Sequence, residues 1–292
     1  MRGGLTIQYH VDGELIDRGE ATVSVDDRGF RYGDGAFETC RVYGGRVFLW
    51  DRHRSRLRRT CEALGMADAV PEDIDDRIDE TLAANGLSEA YLRVSVTRGV
   101  QPGKLTPDER VDPTVVVYVD SLQRGGTAGD PVWDAPAAVE RVRTRRVPDA
   151  ALPAGAKTHN YLNGILARLE LRGRDADEAL MCDTDGCAAE GATSNVFFVE
   201  DGALRTPELG SVLPGITRET TIELAERAGL TVETGRYAVE RICDADEAFL
   251  TNTTWEIRPI ARLGEREVGG GPVTGALRAA YDELVERRCY GG

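Results

Sequence analysis

Lysine is nearly missing from this chain: of 36 basic residues only Lys104 and Lys157 are lysines, and the rest are arginines. Arginine stays protonated and cannot become a nucleophile, so a lysine kept in such a chain is a candidate for chemistry that needs a deprotonatable amine. Aromatic residues are few, at 6%, and there is no run of about 18 apolar residues, which excludes a membrane-spanning helix. Met1-Arg-Gly-Gly-Leu5 leads directly into the strand-like Thr6-Ile-Gln-Tyr-His10 without an apolar leader, so a cytoplasmic protein is expected. Cys40, Cys61, Cys182, Cys187, Cys243 and Cys289 show no C-x-x-C spacing, and only His10, His53 and His159 could join them. No metal site is expected, and the thiols read as reduced. Positive charge is also in deficit. A net charge of −14 argues against the basic face that nucleic acid requires. Life in concentrated salt would account for such acidity with so little lysine, as would a GC-rich coding bias.

What is present suffices for two domains: 292 residues with 41% hydrophobic content. In the first third, Gly13 and the Gly44-Gly45 pair mark turns, the second between strand-like Phe37 to Tyr43 and Arg46 to Trp50. Asp51 is expected to cap a helix reaching about Leu64, and Pro71 to open another that stops near Asn85-Gly86. Tyr91 to Thr97 alternates as a half-buried strand, and Thr114 to Val119 reads as a more buried one. From Gln123 to Asp134 the composition shifts to Gly, Thr, Asp and Pro, which marks a linker. Beyond it, Leu162 to Leu171 and Thr217 to Ala228 read as helices ended by Gly173 and Gly229, and Thr274 to Arg288 as the last helix. Glu178 to Cys182, Ser194 to Val199 and Ala203 to Thr206 read as strands, the last two joined at Asp201-Gly202. The expected organisation is an α+β domain over 1–122, a linker over 123–130 and a barrel-like α+β domain over 131–292.

Three segments carry chemical signals. Lys157 lies in Ala154-Gly-Ala-Lys-Thr-His-Asn-Tyr161, between a small-residue turn and a helix. Leu213-Pro-Gly-Ile-Thr-Arg218 opens a helix with backbone N–H groups and a hydroxyl that suit an anion. Thr251-Asn-Thr-Thr254 follows an apolar strand and could form a second hydroxyl-lined loop. Each has a plainer alternative: a surface lysine, ordinary helix capping, a polar turn.

Their order and spacing carry more. Asp27-Arg-Gly-Phe-Arg-Tyr-Gly-Asp-Gly-Ala-Phe-Glu-Thr39, His53-Arg-Ser-Arg-Leu57, Tyr91-Leu-Arg-Val-Ser-Val-Thr-Arg-Gly99, Lys157-Thr-His-Asn-Tyr-Leu162, Glu190-Gly-Ala-Thr-Ser-Asn-Val-Phe197, Leu213 to Arg218 and Thr251 to Ile260 together resemble the class-IV aminotransferases, the fold-type-IV group of pyridoxal 5′-phosphate (PLP) enzymes. The resemblance spans essentially the whole chain. It implies that Lys157 holds PLP as a Schiff base and later serves as general base. It implies that Glu190 faces the pyridine nitrogen, that Arg56 binds the phosphate, and that Ile216 and Thr217 add donors at a helix start. Ser194, Asn195 and Thr253 would complete the cofactor shell, with Tyr161 at the phenolic oxygen. A homodimer with the cofactor in an interdomain cleft is also implied.

The substrate side is read from Phe37, Tyr91, Arg93 and Thr254. Phe37-Glu38-Thr39, Asn160-Tyr-Leu162 and Leu250-Thr-Asn252 look closest to aminodeoxychorismate lyases, which form an imine with 4-amino-4-deoxychorismate, eliminate pyruvate and leave 4-aminobenzoate. Tyr91 and Arg93 align with substrate contacts of branched-chain aminotransferases, so an amino-acid aminotransferase is the alternative. Arg93 could bind a carboxylate or sit on the strand's solvent face. The D-amino-acid aminotransferases' Pro-Arg-x-His signature is absent, and Phe37 replaces the tyrosine expected there. A catalytically inactive PLP-binding homologue is the reading from another class.

Overall fold

A computed structural model describes residues 6–127, 129, 130 and 132–291. The chain divides into two compact units, one running up to Gln123 with Ala156–Asn160 and the residues from Arg288 onward, the other comprising Arg124–Gly155 and Tyr161–Arg287. The expected contiguous boundary therefore differs at two places, of which the segment around Lys157 matters most. Within the expected linker, Ala128 lies outside the described residues, as does Pro131 at the expected start of the second domain.

The first unit is built on β1 (Gln8–Val11), β2 (Glu14–Asp17), α1 (Arg28–Tyr32), β3 (Gly35–Tyr43), β4 (Arg46–Val47), α2 (Trp50–Ala63), α3 (Ile74–Asn85), β5 (Ala90–Thr97) and β6 (Val115–Ser121). Its six strands form an antiparallel sheet in the order β2-β1-β6-β5-β3-β4. Because side chains alternate along a strand, register assigns the faces. Phe37 opposes Ser95, Thr39 opposes Arg93, and Arg93 opposes Tyr118, so these share one face. Ala36, Cys40, Val42, Leu92, Val94, Val96 and Val117 take the other and form the core with Leu57, Cys61, Ile74 and Ile78 of α2 and α3. Asp51 does not cap α2: Leu49 adopts a left-handed φ of 53° before the helix, which starts at Trp50 and leaves Asp51 in its first turn. Pro71 likewise stands in the turn before α3, whose end at Gly86 (φ 60°) matches expectation. Helix α1 had no apolar period to reveal it; Asp27 caps it by accepting from Gly29 N–H at 2.6 Å.

The second unit contains β7 (Ala137–Arg145), α4 (Leu162–Leu169), β8 (Glu178–Cys182), β9 (Ala188–Gly191), β10 (Asn195–Glu200), β11 (Ala203–Pro207), α5 (Ile216–Arg227), β12 (Val232–Gly235), α6 (Val239–Cys243), β13 (Glu247–Asn252), β14 (Glu256–Leu263), β15 (Arg266–Glu267) and α7 (Pro272–Val285). The sheet runs β12-β11-β10-β13-β14-β7-β8-β9, with β15 on β14, and curls into a half-barrel. The pairs β11/β12, β14/β7 and β7/β8 are parallel. Val139, Leu180, Val196, Phe198, Leu250 and Ile260 form its main core. The Asp201-Gly202 turn joins β10 to β11 with both φ angles positive, 53° and 73°, as a two-residue hairpin requires. Strand β7 escaped the sequence reading because the arginine, glutamate and threonine positions towards its end mask its buried Ala137, Val139 and Val142.

Candidate active site

In the first unit, Lys157 lies in an extended segment laid along β3. Its carbonyl accepts from Phe37 N–H at 3.0 Å, Thr158 bridges Ala36, and His159 N–H donates to the Gly35 carbonyl at 2.8 Å. Antiparallel register therefore puts Lys157 and His159 on the face that carries Phe37, Thr39, Tyr91 and Arg93. The Lys157 amine stands 4.2 Å from the Phe37 ring centroid, and the Arg93 guanidinium 3.7 Å from it. Arg93 is half-buried, bonds Ser95 Oγ at 3.2 Å, and pairs with no carboxylate among the described residues. Tyr91 and Tyr118 lie 6.0 Å apart beside it; burial and Tyr91 push the Tyr118 phenol up to about 12. Burial and the nearby Arg93 charge hold the His159 imidazole down at about 4, so it is neutral at pH 7.

Glu38 points to the opposite face of β3 and is fully buried. Arg56 of α2 donates to it twice, from Nε and Nη2 at 2.7 Å each, and His53 Nδ1 contacts it at 2.7 Å. Burial alone would raise the Glu38 carboxyl; the Arg56 charge and hydrogen bonds, with His53, outweigh that and bring it down to about 2. Burial holds His53 below its ordinary value despite Glu38. The arginine fork that sequence reasoning offered to a phosphate is engaged with Glu38 through Nε and Nη2.

In the second unit, Glu190 ends its strand buried against Arg146, whose Nε donates to Oε1 at 2.5 Å. The other oxygen accepts from Leu213 N–H at 2.8 Å and from the Asn195 amide at 3.3 Å. Asn195 also donates to the Leu213 carbonyl at 3.0 Å, tying this carboxylate to the approach to α5. The Ser194 hydroxyl donates to buried Glu178 at 3.0 Å, so its hydrogen is committed there. Helix α5 begins after Gly215 with no side-chain cap, and Thr217 in its first turn is buried. Its leading N–H groups have no intrahelical acceptor. A Cβ on Gly215 would fall 2.2 Å from Asn195 Oδ1, so glycine alone permits this approach. In the turn after β13, Asn252 accepts from the Thr254 hydroxyl at 3.1 Å and from Trp255 N–H at 2.7 Å. Thr253 is half-buried, and the buried Thr251 hydroxyl finds no partner among the described residues. Tyr161 is half-buried immediately before α4.

In the first unit a lysine amine and an arginine, and in the second an uncapped helix start with a buried threonine and a buried carboxylate, are groups of the kinds that PLP takes. Glu38, Thr60 and His159 in the first unit and Arg146 in the second were missed. Glu38 lay in plain view between Phe37 and Thr39, whereas nothing in sequence separates Arg146 from its arginine neighbours. Among the described residues no group of three His, Cys, Asp or Glu could hold a metal, and no helix is long and apolar enough to cross a membrane.

The amino-transferase class IV family model matches residues 35–263. A Methanocaldococcus jannaschii protein provisionally named a branched-chain-amino-acid aminotransferase is 34% identical over 283 residues, covering 95% of this chain and 96% of that one. The aminodeoxychorismate lyase of Bacillus subtilis is 32% identical, covering 96% of each chain. Among solved structures, the branched-chain aminotransferase of the thermophilic archaeon Thermoproteus uzoniensis with norvaline aligns at TM-score 0.85 and 31% identity, over 98% of this chain and 95% of that one. With its two α+β units and curled sheet, the chain belongs to the class-IV aminotransferase family of fold-type-IV, PLP-dependent enzymes.

Proposed function

We propose that this enzyme is a 4-amino-4-deoxychorismate lyase in which Lys157 carries PLP. In this reading Glu190 serves the pyridine nitrogen, Arg56 with Ile216, Thr217 and Thr253 holds the phosphate, and Ser194, Asn195 and Tyr161 complete the shell. The observation that carries the lyase reading is the floor beside Lys157: a flat Phe37 ring with the Arg93 guanidinium 3.7 Å from its centroid and no carboxylate partner among the described residues. The substrate of such a lyase is an unsaturated ring bearing two carboxylates, and its product ring is aromatic, which suits an aromatic floor with one cation.

Bound PLP supplies an electron sink for the electrons of a broken C–H bond. The Lys157 amine takes the ring proton next to the substrate nitrogen, and the enolpyruvyl oxygen departs with its bonding pair. Arg93 orients a carboxylate, and Phe37 keeps the reacting ring flat against the sheet. Tyr91 and Thr254 are assigned to substrate contact. Purified holoenzyme given aminodeoxychorismate is expected to release 4-aminobenzoate and pyruvate. Glutamate formation from leucine and 2-oxoglutarate, without 4-aminobenzoate, would end this reading.

That outcome would establish the second reading, an amino-acid aminotransferase, which the placement of Tyr91 and Arg93 beside Lys157 also favours. Borohydride reduction followed by peptide mass spectrometry tests both, since each requires a pyridoxyl adduct on Lys157. An adduct with no spectral response to either substrate would leave a PLP-binding homologue without activity. The reading further includes a cytoplasmic homodimer. Leu162, Ile165, Leu166 and Leu169 are exposed on α4, an apolar stripe that a second copy would cover. Leu166→Glu is expected to halve the mass seen by sedimentation.

A further inference from the structure

Lys157 lies outside any helix or named strand, yet both of its backbone polar groups are fixed. The carbonyl accepts from Phe37 N–H, and its N–H donates to Thr60 Oγ1 at 3.1 Å across 97 residues of sequence. Thr60 belongs to α2 and is 1% exposed. Threonines buried in helices commonly bond back to the carbonyl one turn earlier. Thr81, Thr220 and Thr221 do so here, at 2.6, 2.8 and 2.8 Å. Thr60 makes no such bond and turns its oxygen to Lys157 instead. It also lies four residues after Arg56 on the same helix, and residues so spaced share one face. Helix α2 therefore fixes the backbone of the lysine and, one turn away, the arginine locked by Glu38.

We propose that Thr60 is a positioning residue that aims Lys157 for attachment to the cofactor, an inference that rests on the assignment of Lys157 above. Removing the acceptor leaves the half-buried Lys157 N–H without this bond, so the segment shifts to find another partner. A displacement of this kind next to a reacting atom costs about ten- to a hundredfold in rate. Cofactor affinity through the phosphate donors does not depend on that bond.

The test uses apoenzyme mixed with PLP, quenched with borohydride at intervals, with the pyridoxyl adduct on Lys157 quantified by peptide mass spectrometry. Thr60→Val, which keeps shape and loses the acceptor, is expected to slow adduct formation about tenfold and to lower kcat with KM little changed. Thr60→Ser restores the acceptor and is expected to recover both to within about twofold. Attachment and kcat at the wild-type level in Thr60→Val overturn the proposal, whether or not the melting temperature falls, because that pattern marks a purely structural contact. Should Thr60→Val not fold, Thr60→Ala against Thr60→Ser makes the same comparison. Failure of the wild-type enzyme to form the adduct would instead remove the assignment of Lys157, and this inference with it.

Discussion

Glu38 is a buried carboxylate whose charge is balanced by the Arg56 fork and a His53 hydrogen bond. Glu38→Gln keeps the volume but leaves Arg56 buried without its counter-charge, a change that costs about 3–5 kcal/mol. Urea unfolding should register that loss, and PLP titration should show affinity weakened by about tenfold as Arg56 loses its anchor. The pH dependence has a definite sign. The folded carboxyl is depressed from 4.5 to about 2, so its contribution is present above about pH 4.5 and is lost as pH falls towards 2. A pH-independent stability across that window would contradict the pairing. Arg93 offers a second test: Arg93→Met should raise KM for a carboxylate substrate by about ten- to a hundredfold, the loss of one charge-assisted hydrogen bond. The pyridoxyl adduct on Lys157 should be retained. Equal KM values would show that Arg93 does not meet substrate.

At the level of elements, the approach to α5 and the end of β9 that carries Glu190 are tied together by hydrogen bonds. Asn195 bonds both Glu190 and the Leu213 carbonyl, and Gly215 lets Asn195 approach the helix start. Gly215→Ala would place a methyl group 2.2 Å from Asn195 Oδ1, so either the helix start or the amide must move. The expected result is a PLP dissociation constant raised by about tenfold with the far-ultraviolet spectrum unchanged. Unaltered PLP affinity would show that the uncapped helix start is not the phosphate site. Much of the element pattern was legible: β5, β8, β11, α4 and α5 lie within a few residues of expectation, β5 because its burial alternates and β8 and β11 because they are short apolar runs bounded by turn residues. The start of α2 was misread because a left-handed Leu49 is invisible to a capping rule. Strand β7 was hidden because its exposed edge carries arginine and glutamate.

For the whole molecule, the excess of acid over base is 50 against 36 residues. Self-repulsion of that size weakens as added salt shortens the screening length. If the composition is an adaptation to salt, the melting temperature should climb between about 0.1 M and 2 M KCl, where the Debye length falls from about 10 Å to below 3 Å. An unchanged melting temperature would leave coding bias as the account of the missing lysines.

Ordered motifs spread along the chain were enough to identify the family, the cofactor and Lys157 as the candidate reactive lysine, because those residue types have no chemical substitutes at such positions. Linear order is silent on which groups share a face or a hydrogen bond. That Glu38 and Phe37, adjacent in sequence, serve opposite sides of β3 follows from strand register. That Thr60 holds the backbone of a lysine 97 residues away, and that Arg146 meets Glu190, depends on packing among residues far apart in the chain. Lys157 was visible as a residue type; the contacts that fix its backbone come from β3 and α2, elements distant from it in sequence.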